Sequence, residues 1–332
     1  MDLEQALSSE KFTVKSLTAA INNAIVPKTR IAELKIFQER GIKTTSVDIE
    51  YKDGQIILVP EKERGADGTH MDDRDRNIYT FRAVHLPLEA SILADDIQNT
   101  RAFGSEDELE DLDSLIAEKH EDHRLSLDAT IEYHRIGAIF GKILGATGNV
   151  IEDLFKRFGI TAKNIYHEID FTKPIRTQLL DVKRTSEKNQ SGIKGKKYRG
   201  LAGPIFFNKL LEHSDFEKAF DRYNNGSALR DDVRTGVFWQ GVYWEEFDVE
   251  IDGKKYLAED EAVVFPEDKP GLFITRFAPA NYSETVNTVG LPYYSKSEPK
   301  RMGKGVDIET QTNPINVCTS PLAVRKLRIK AA

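Results

Sequence analysis

One cysteine, Cys318, is all the thiol that this 332-residue chain carries. That excludes an internal disulfide and a cysteine-rich metal centre, and it fits a reducing compartment. Long apolar runs are missing too. The longest are short, such as residues 56–59 and 262–265, against the ~18 residues that a membrane span needs. Residues 1–12 have neither the basic start nor the apolar middle of a secretory signal. Nor is there an excess of positive charge. Lys and Arg total 47 against 54 Asp and Glu, a net charge of −7, which offers no overall attraction to nucleic acid or anionic lipid. A soluble protein made inside the cell, with no membrane partner, is expected.

What the chain does contain argues for a folded protein. Seventeen Phe, 11 Tyr and two Trp are too many for wholesale disorder. The length suits one elaborate domain or two. With 30% of residues charged, much of the surface is polar.

Residues 1–43 carry Pro27 and a short pattern of Ile31, Leu34, Lys35 and Phe37, which predicts one modest helix on an extended arm. From Thr44 the period changes to two. Val47, Ile49 and Tyr51 alternate up to Asp53-Gly54, and residues 56–59 follow, the pattern of a β-hairpin turned at Asp-Gly. Residues 61–77 are dense in charge and nearly devoid of apolar side chains, after which Ile78, Tyr79, Phe81, Ala83 and Val84 read as a returning strand. A charged tip between two strand-rich arms describes a long projecting loop, and a loop of that length has a function.

Residues 105–144 form the clearest element. Ser105 and Glu108 make a capping box. Leu109, Leu112, Ile116, His123, Leu127, Ile131, His134 and Ala138 then follow at helical steps. Between 105 and 132 there are 11 acidic residues and two basic ones, Lys119 and Arg124, so much of this helix is expected to face water or a basic partner. Beyond it, residues 151–159 fit either a helix stopped by Gly159 or a strand after a turn at 147–149. Residues 165–171 alternate like a strand, 203–220 read as a helix, and 237–265 as strands with a turn at Asp252-Gly253. Short strand-like pieces broken by Pro and Gly run from Pro266 to the end. Without regular βαβ alternation, the class is α+β.

Enzyme signatures are missing or misspaced. His120 and His123 stand three apart, whereas the zinc-protease helix needs them four apart. The glycine-rich basic stretch 192–200 lacks the P-loop string. Asp67, Asp72, Asp73 and Asp75 miss the spacing of a calcium loop and are interrupted by Arg74, which favours an inter-subunit salt-bridge patch. Adjacent acids such as Glu245-Glu246 point to opposite faces of a strand. Phe238, Trp239, Tyr243 and Trp244 read as packing rather than a base-stacking platform, for want of interleaved cations. Arg325, Lys326, Arg328 and Lys330 form a cationic tail suited to phosphate or an acidic neighbour. No catalytic, cofactor or metal residue is assigned.

Residues 270–296, PGLFITRFAPANYSETVNTVGLPYYSK, and 309–321, ETQTNPINVCTSP, closely resemble the C-terminal signature of the lambda-type major capsid protein (capsid protein E) family of tailed bacteriophages. Residues 135–144, 149–161 and 227–236 are similar to it in the same order. Where relatives tend to carry an acidic turn after the long helix, this chain has Gly145-Ala-Thr-Gly148.

The resemblance implies the Hong Kong 97-type capsid fold: an N-terminal arm at 1–43, an extended loop at 44–104, a peripheral domain at 105–171 with its spine helix at 105–144, an axial domain at 172–285, and a return to the peripheral domain with a tail at 286–332. For 150–171 it implies strands. It further implies pentamers and hexamers that enclose double-stranded DNA in a virion assembled in the host cytoplasm, no enzyme activity and no cofactor. Scaffolding, decoration and portal proteins would be its partners. Lys62, Arg64, Asp72, Arg74 and Arg76 are the expected inter-subunit contacts, with the acidic helix and basic patches complementary between copies. An encapsulin-like shell, or a nucleotide- or metal-dependent enzyme using 192–200 or His120 and His123, are the competing expectations.

Overall fold

The structure, a computed structural model, describes residues 12–51, 77–96, 108–161, 165–190, 193–217, 234 and 236–331. In chain order its first elements are α1 (Val14–Asn23), α2 (Arg30–Leu34), β1 (Phe37–Gly41), β2 (Ser46–Tyr51), β3 (Asn77–Arg82), β4 (Leu86–Leu93) and α3 (Glu108–Phe140). Next come β5 (Lys142–Leu144), β6 (Val150–Asp153), α4 (Leu154–Arg157), β7 (Tyr166–Ile169), α5 (Ile175–Lys188), β8 (Tyr198–Ala202) and α6 (Pro204–Leu211). Then follow β9 (Val237–Trp239), β10 (Val242–Glu246), β11 (Glu261–Pro266), β12 (Phe273–Phe277), β13 (Tyr294–Pro299), β14 (Gly305–Thr312), β15 (Pro314–Cys318) and β16 (Arg325–Ile329). The chain forms two compact units: unit 1 holds residues 1–48, 80–135 and 274–316, and unit 2 holds 49–79, 136–273 and 317–332.

Unit 1 is built on the sheet β13-β14-β4, an antiparallel meander with a long-range third strand. Every second residue of β14 turns inward, so Val306 and Ile308 pack with Ile92 of β4 against Leu112 and Ile116 of α3 and Leu17 of α1. Alternation of this kind is what a half-buried strand dictates. Residues 86–93, inside the segment read as an extended loop, thus pair with β14 over eight residues. The arm holds more structure than the one expected helix. Thr13 caps α1, its hydroxyl accepting from Ser16 N at 3.3 Å. α2 stops at Lys35, which is left-handed with φ 52°, and Phe37 opens a strand instead of extending the helix.

Unit 2 is organised by a six-stranded mixed sheet in the order β7-β16-β11-β8-β10-β9. α5 lays Ile175, Leu179, Val182 and Ser186 on it, and α6 adds Phe206, Phe207 and Leu210. Trp244 and Trp239 fill the centre of that core. The Asp252-Gly253 turn has both central residues left-handed, at φ 49° and 69°, the geometry of a type I′ turn, closed by a single bridge from Ile251 to Lys254.

The long helix ends earlier than its apolar pattern predicts. Gly141 is left-handed at φ 83°, the conformation that terminates helices at C′, and residues 142–144 become a strand paired with β6. Residues 150–161 combine both readings: β6 completes the hairpin, and the single turn α4 follows, capped by Asp153 and ending before the left-handed Gly159. The all-strand expectation for 150–171 is corrected here, because an Asp153 carboxylate that accepts from Lys156 N nucleates a turn of helix.

Candidate functional site

The five residues expected at inter-subunit contacts, Lys62, Arg64, Asp72, Arg74 and Arg76, lie outside the described residues, as do Asp53-Gly54 and Ser105. The chemistry-bearing groups inside them are almost all committed to the fold.

His120 and His123 of α3 face the sheet. His120 Nε2 is 2.8 Å from Ser295 Oγ on β13, and His123 Nδ1 is 2.7 Å from Thr310 Oγ1 on β14. Burial, helped by His123, brings the His120 pKa down to about 4, and burial alone does the same for His134. His123 is also lowered by burial, with Asp122 opposing. The rings of His120 and His123 are hydrogen-bond partners of hydroxyls rather than a ligand pair.

The glycine-rich loop is a cradle already filled from within. Lys196 and Lys197 N–H donate to Asp268 Oδ1 at 2.9 and 3.1 Å, and Gly195 N–H donates to Gln190 Oε1 at 2.7 Å. A carboxylate sits where an anionic ligand would. Arg199 next door donates to buried Glu245 at 2.6 Å and to Glu267 at 2.8 Å, and stacks 4.7 Å over the Tyr243 ring.

The cationic C-terminal residues are a strand, not a free tail. β16 lies inside the six-stranded sheet between β7 and β11. Arg325 Nε–H donates to His167 Nε2 at 2.8 Å, and burial with that guanidinium pushes the His167 pKa down to about 4. Arg328 pairs with Glu168 at 2.6 Å and Lys330 with Asp170 at 3.5 Å. Lys326 Nζ lies 5.5–5.6 Å from the Phe140, Phe155 and Tyr166 ring centres, within cation–π range. Cys318 is fully buried, which lifts its pKa to about 12. Of the aromatic group, Trp239 and Trp244 are core, while Phe238 stands exposed.

One cleft of about 470 Å³ opens in unit 1 between the arm and α3. Its guanidiniums are engaged: Arg135 with Glu39 at 2.6 Å, and Arg124 with Asp128 at 3.3 Å and the carbonyls of Ile21 and Asn22. Beside it, buried Glu132 accepts from Ile31 N and Thr29 Oγ1 at 2.5 and 2.7 Å, supplying from α3 the carboxylate that the N-terminus of α2 wants.

Among the described residues, two charged surfaces of unit 1 stand out as uncommitted. On α3, Glu118, Glu121, Asp122 and Leu125 are exposed along one stripe, whereas residues 131–141 are buried all round. Much of the acidic first part of α3 does face outward as its charge predicts, but its last third does not. At the turn from β13 to β14, Arg301, Met302 and Lys304 are exposed. The sequence reading passed over this turn; its signal was the Pro299, Gly303 and Gly305 punctuation around two cations and a methionine.

Residues 13–329 match the sequence model of the family described as phage major capsid protein E. The major capsid protein of Pseudomonas phage KPP10 is 30% identical over 326 residues, which cover 89% of this chain and 90% of that protein. The major capsid protein of Salmonella phage Felix O1 is 24% identical over 369 residues, 98% of each. Among solved structures, a prophage protein of E. coli CFT073 described as a capsid protein superposes with a TM-score of 0.57 at 14% identity, over 96% of this chain and 99% of that one. The mature capsid of bacteriophage PhiM1 gives 0.53 at 11% identity, over 93% and 89%. These structural likenesses speak to the fold, and they bear out the α+β, Hong Kong 97-type expectation.

Proposed function

The chain belongs to the phage major capsid protein E family, and from that premise we propose that its copies gather as pentamers and hexamers into the icosahedral head that encloses the DNA of a tailed bacteriophage. It is a major capsid protein of a bacteriophage, it assembles with copies of itself, and its place is the virion capsid. The match of the family across residues 13–329 carries this reading. The encapsulin-like and enzyme readings have no comparable support.

In this reading residues 105–171, with the return at 286–332, serve as the peripheral part, and residues 172–285 as the axial part around which subunits cluster. The segment 44–104 supplies the extended loop, and Lys62, Arg64, Asp72, Arg74 and Arg76 on its charged tip contact a neighbouring subunit. The protein works by burying surface, not by turning over a substrate; the occupation of the 192–200 cradle by Asp268 supports that view. Assembly takes place in the host cytoplasm with a scaffolding protein, a portal and, on the finished head, a decoration protein. Each interface is modest, and the shell's stability comes from the sum of many.

Sedimentation velocity on the purified chain, with negative-stain imaging of the fast fraction, tests the reading. Rings of five and six or closed shells are expected, if necessary with the neighbouring phage genes co-expressed. A chain that stays monomeric under both conditions overturns it. Shells that form unchanged with Lys62→Glu and Arg64→Glu overturn the loop contact alone.

A further inference from the structure

The turn joining β13 to β14 is an unusual piece of surface. Met302 at its tip is 91% exposed and left-handed, with φ 63°. Left-handed backbone costs a non-glycine residue about 1–2 kcal/mol, and a large apolar side chain held out in water recovers nothing in the isolated chain. Arg301 and Lys304 flank it, both exposed. Lys300 is engaged with Asp307 at 2.8 Å, whereas Arg301 and Lys304 have no ion-pair partner among the described residues. The tip is an apolar head with a cationic collar.

A complementary surface lies on α3. Glu118, Glu121 and Asp122 are exposed at helical steps of three and four, one turn from Leu125, which is 44% exposed. Among the described residues none of these three carboxylates forms an ion pair. Like charges at this spacing destabilise a helix, so the stripe is self-repelling until a cation covers it.

Within one copy, the tip and the stripe form no ion pair with each other among the described residues. The opposite face of α3 is pinned to the sheet by the His120–Ser295 and His123–Thr310 hydrogen bonds. Ser295 pairs with Thr310, and four further rungs of the ladder lead to Pro299–Val306 at the tip end. At ~3.4 Å per residue that is about 14 Å, with the tip beyond it and the stripe facing away from the sheet.

We propose that the β13–β14 tip of one copy docks on the acidic stripe of α3 of a second copy, Arg301 and Lys304 facing Glu118, Glu121 and Asp122, and Met302 covering Leu125. This rests on the shell reading above and names one of its contacts. The two surfaces differ, so every copy gives one and receives one, a heterologous contact, which generates rings where the rotation between copies closes. Its charges set register and association rate, and salt weakens it.

The experiment compares four proteins expressed with the neighbouring phage genes: wild type, R301E/K304E, E118K/E121K/D122K, and all five changes together. Circular dichroism checks that each is folded, and sedimentation velocity measures the fraction in shells. Each set alone is expected to cut that fraction at least about tenfold, and the combination to restore it to within about threefold of wild type. M302S, a surface change that leaves the core intact, is expected to lower it as well. Wild-type yields from either charge set, or a combination no better than its parts, overturn the contact. Wild type without particles overturns the shell reading itself, and the contact with it.

Discussion

His120 shows how far a side chain's role is set by where it lands. The sequence displays two histidines three apart on a charged helix, and that spacing argues against a zinc site. It carried no information about Ser295 and Thr310, which lie more than 170 residues away. With its folded pKa near 4 and an ordinary value of 6.5, His120 binds its proton more readily in the unfolded chain. Stability is therefore full above pH 6.5 and falls toward pH 4, by about 1.4 kcal/mol per pH unit for each such group. His134 acts in the same window, and Glu132, raised by burial, opposes both as the pH drops. Urea unfolding at pH 7, 6 and 5 is expected to show a shallower decline in His120→Gln than in wild type; parallel curves refute the assignment. Cys318 was legible from the start, since a lone cysteine among β-formers is most often buried, and it is.

At the scale of elements, local chemistry was read well at the Asp252-Gly253 turn and the Gly159 stop, and poorly where a boundary depends on one backbone angle. Ile143 and Leu144 extend the apolar pattern of α3, yet Gly141 ends the helix because a ring needs its place. A Cβ on Gly141 would lie 2.2 Å from the Phe155 ring, whereas one on Gly148, at nearly the same φ of 81°, would meet nothing within 4 Å. Gly148→Ala is expected to cost about 1–2 kcal/mol for the left-handed backbone alone. Gly141→Ala is expected to cost about 1–3 kcal/mol more for overpacking. Equal losses in denaturant melts would mean that the ring moves aside freely. α1 escaped the sequence reading because its buried positions, Leu17, Thr18 and Ile21, are few and one is polar.

Across the whole molecule the decisive facts are pairings between distant segments. Arg199 illustrates them: it joins β8 to Glu245 on β10 and Glu267 beyond β11, and no local pattern marks it. Glu245 is 2% exposed, so Arg199→Met is expected to destabilise unit 2 by about 3–5 kcal/mol, the usual result of removing one member of a buried ion pair. Both tryptophans of the chain, Trp239 and Trp244, belong to that unit, and their fluorescence in urea reads it directly. A midpoint unchanged in Arg199→Met, or no recovery when Glu245→Gln is added, contradicts this account.

Composition, turn chemistry and the order of the signature segments were enough for the α+β class, the family and the absence of a recognisable enzyme motif, because each depends on residues close together in the chain. They did not reveal that residues 325–329 form an interior strand, that Asp268 fills the glycine-rich loop, or that β4 completes the sheet of unit 1. Those outcomes depend on which apolar faces share a core and which polar groups must find partners once water is excluded. Only the tertiary fold brings such groups together, and it alone shows which charges are left facing outward for another copy to meet.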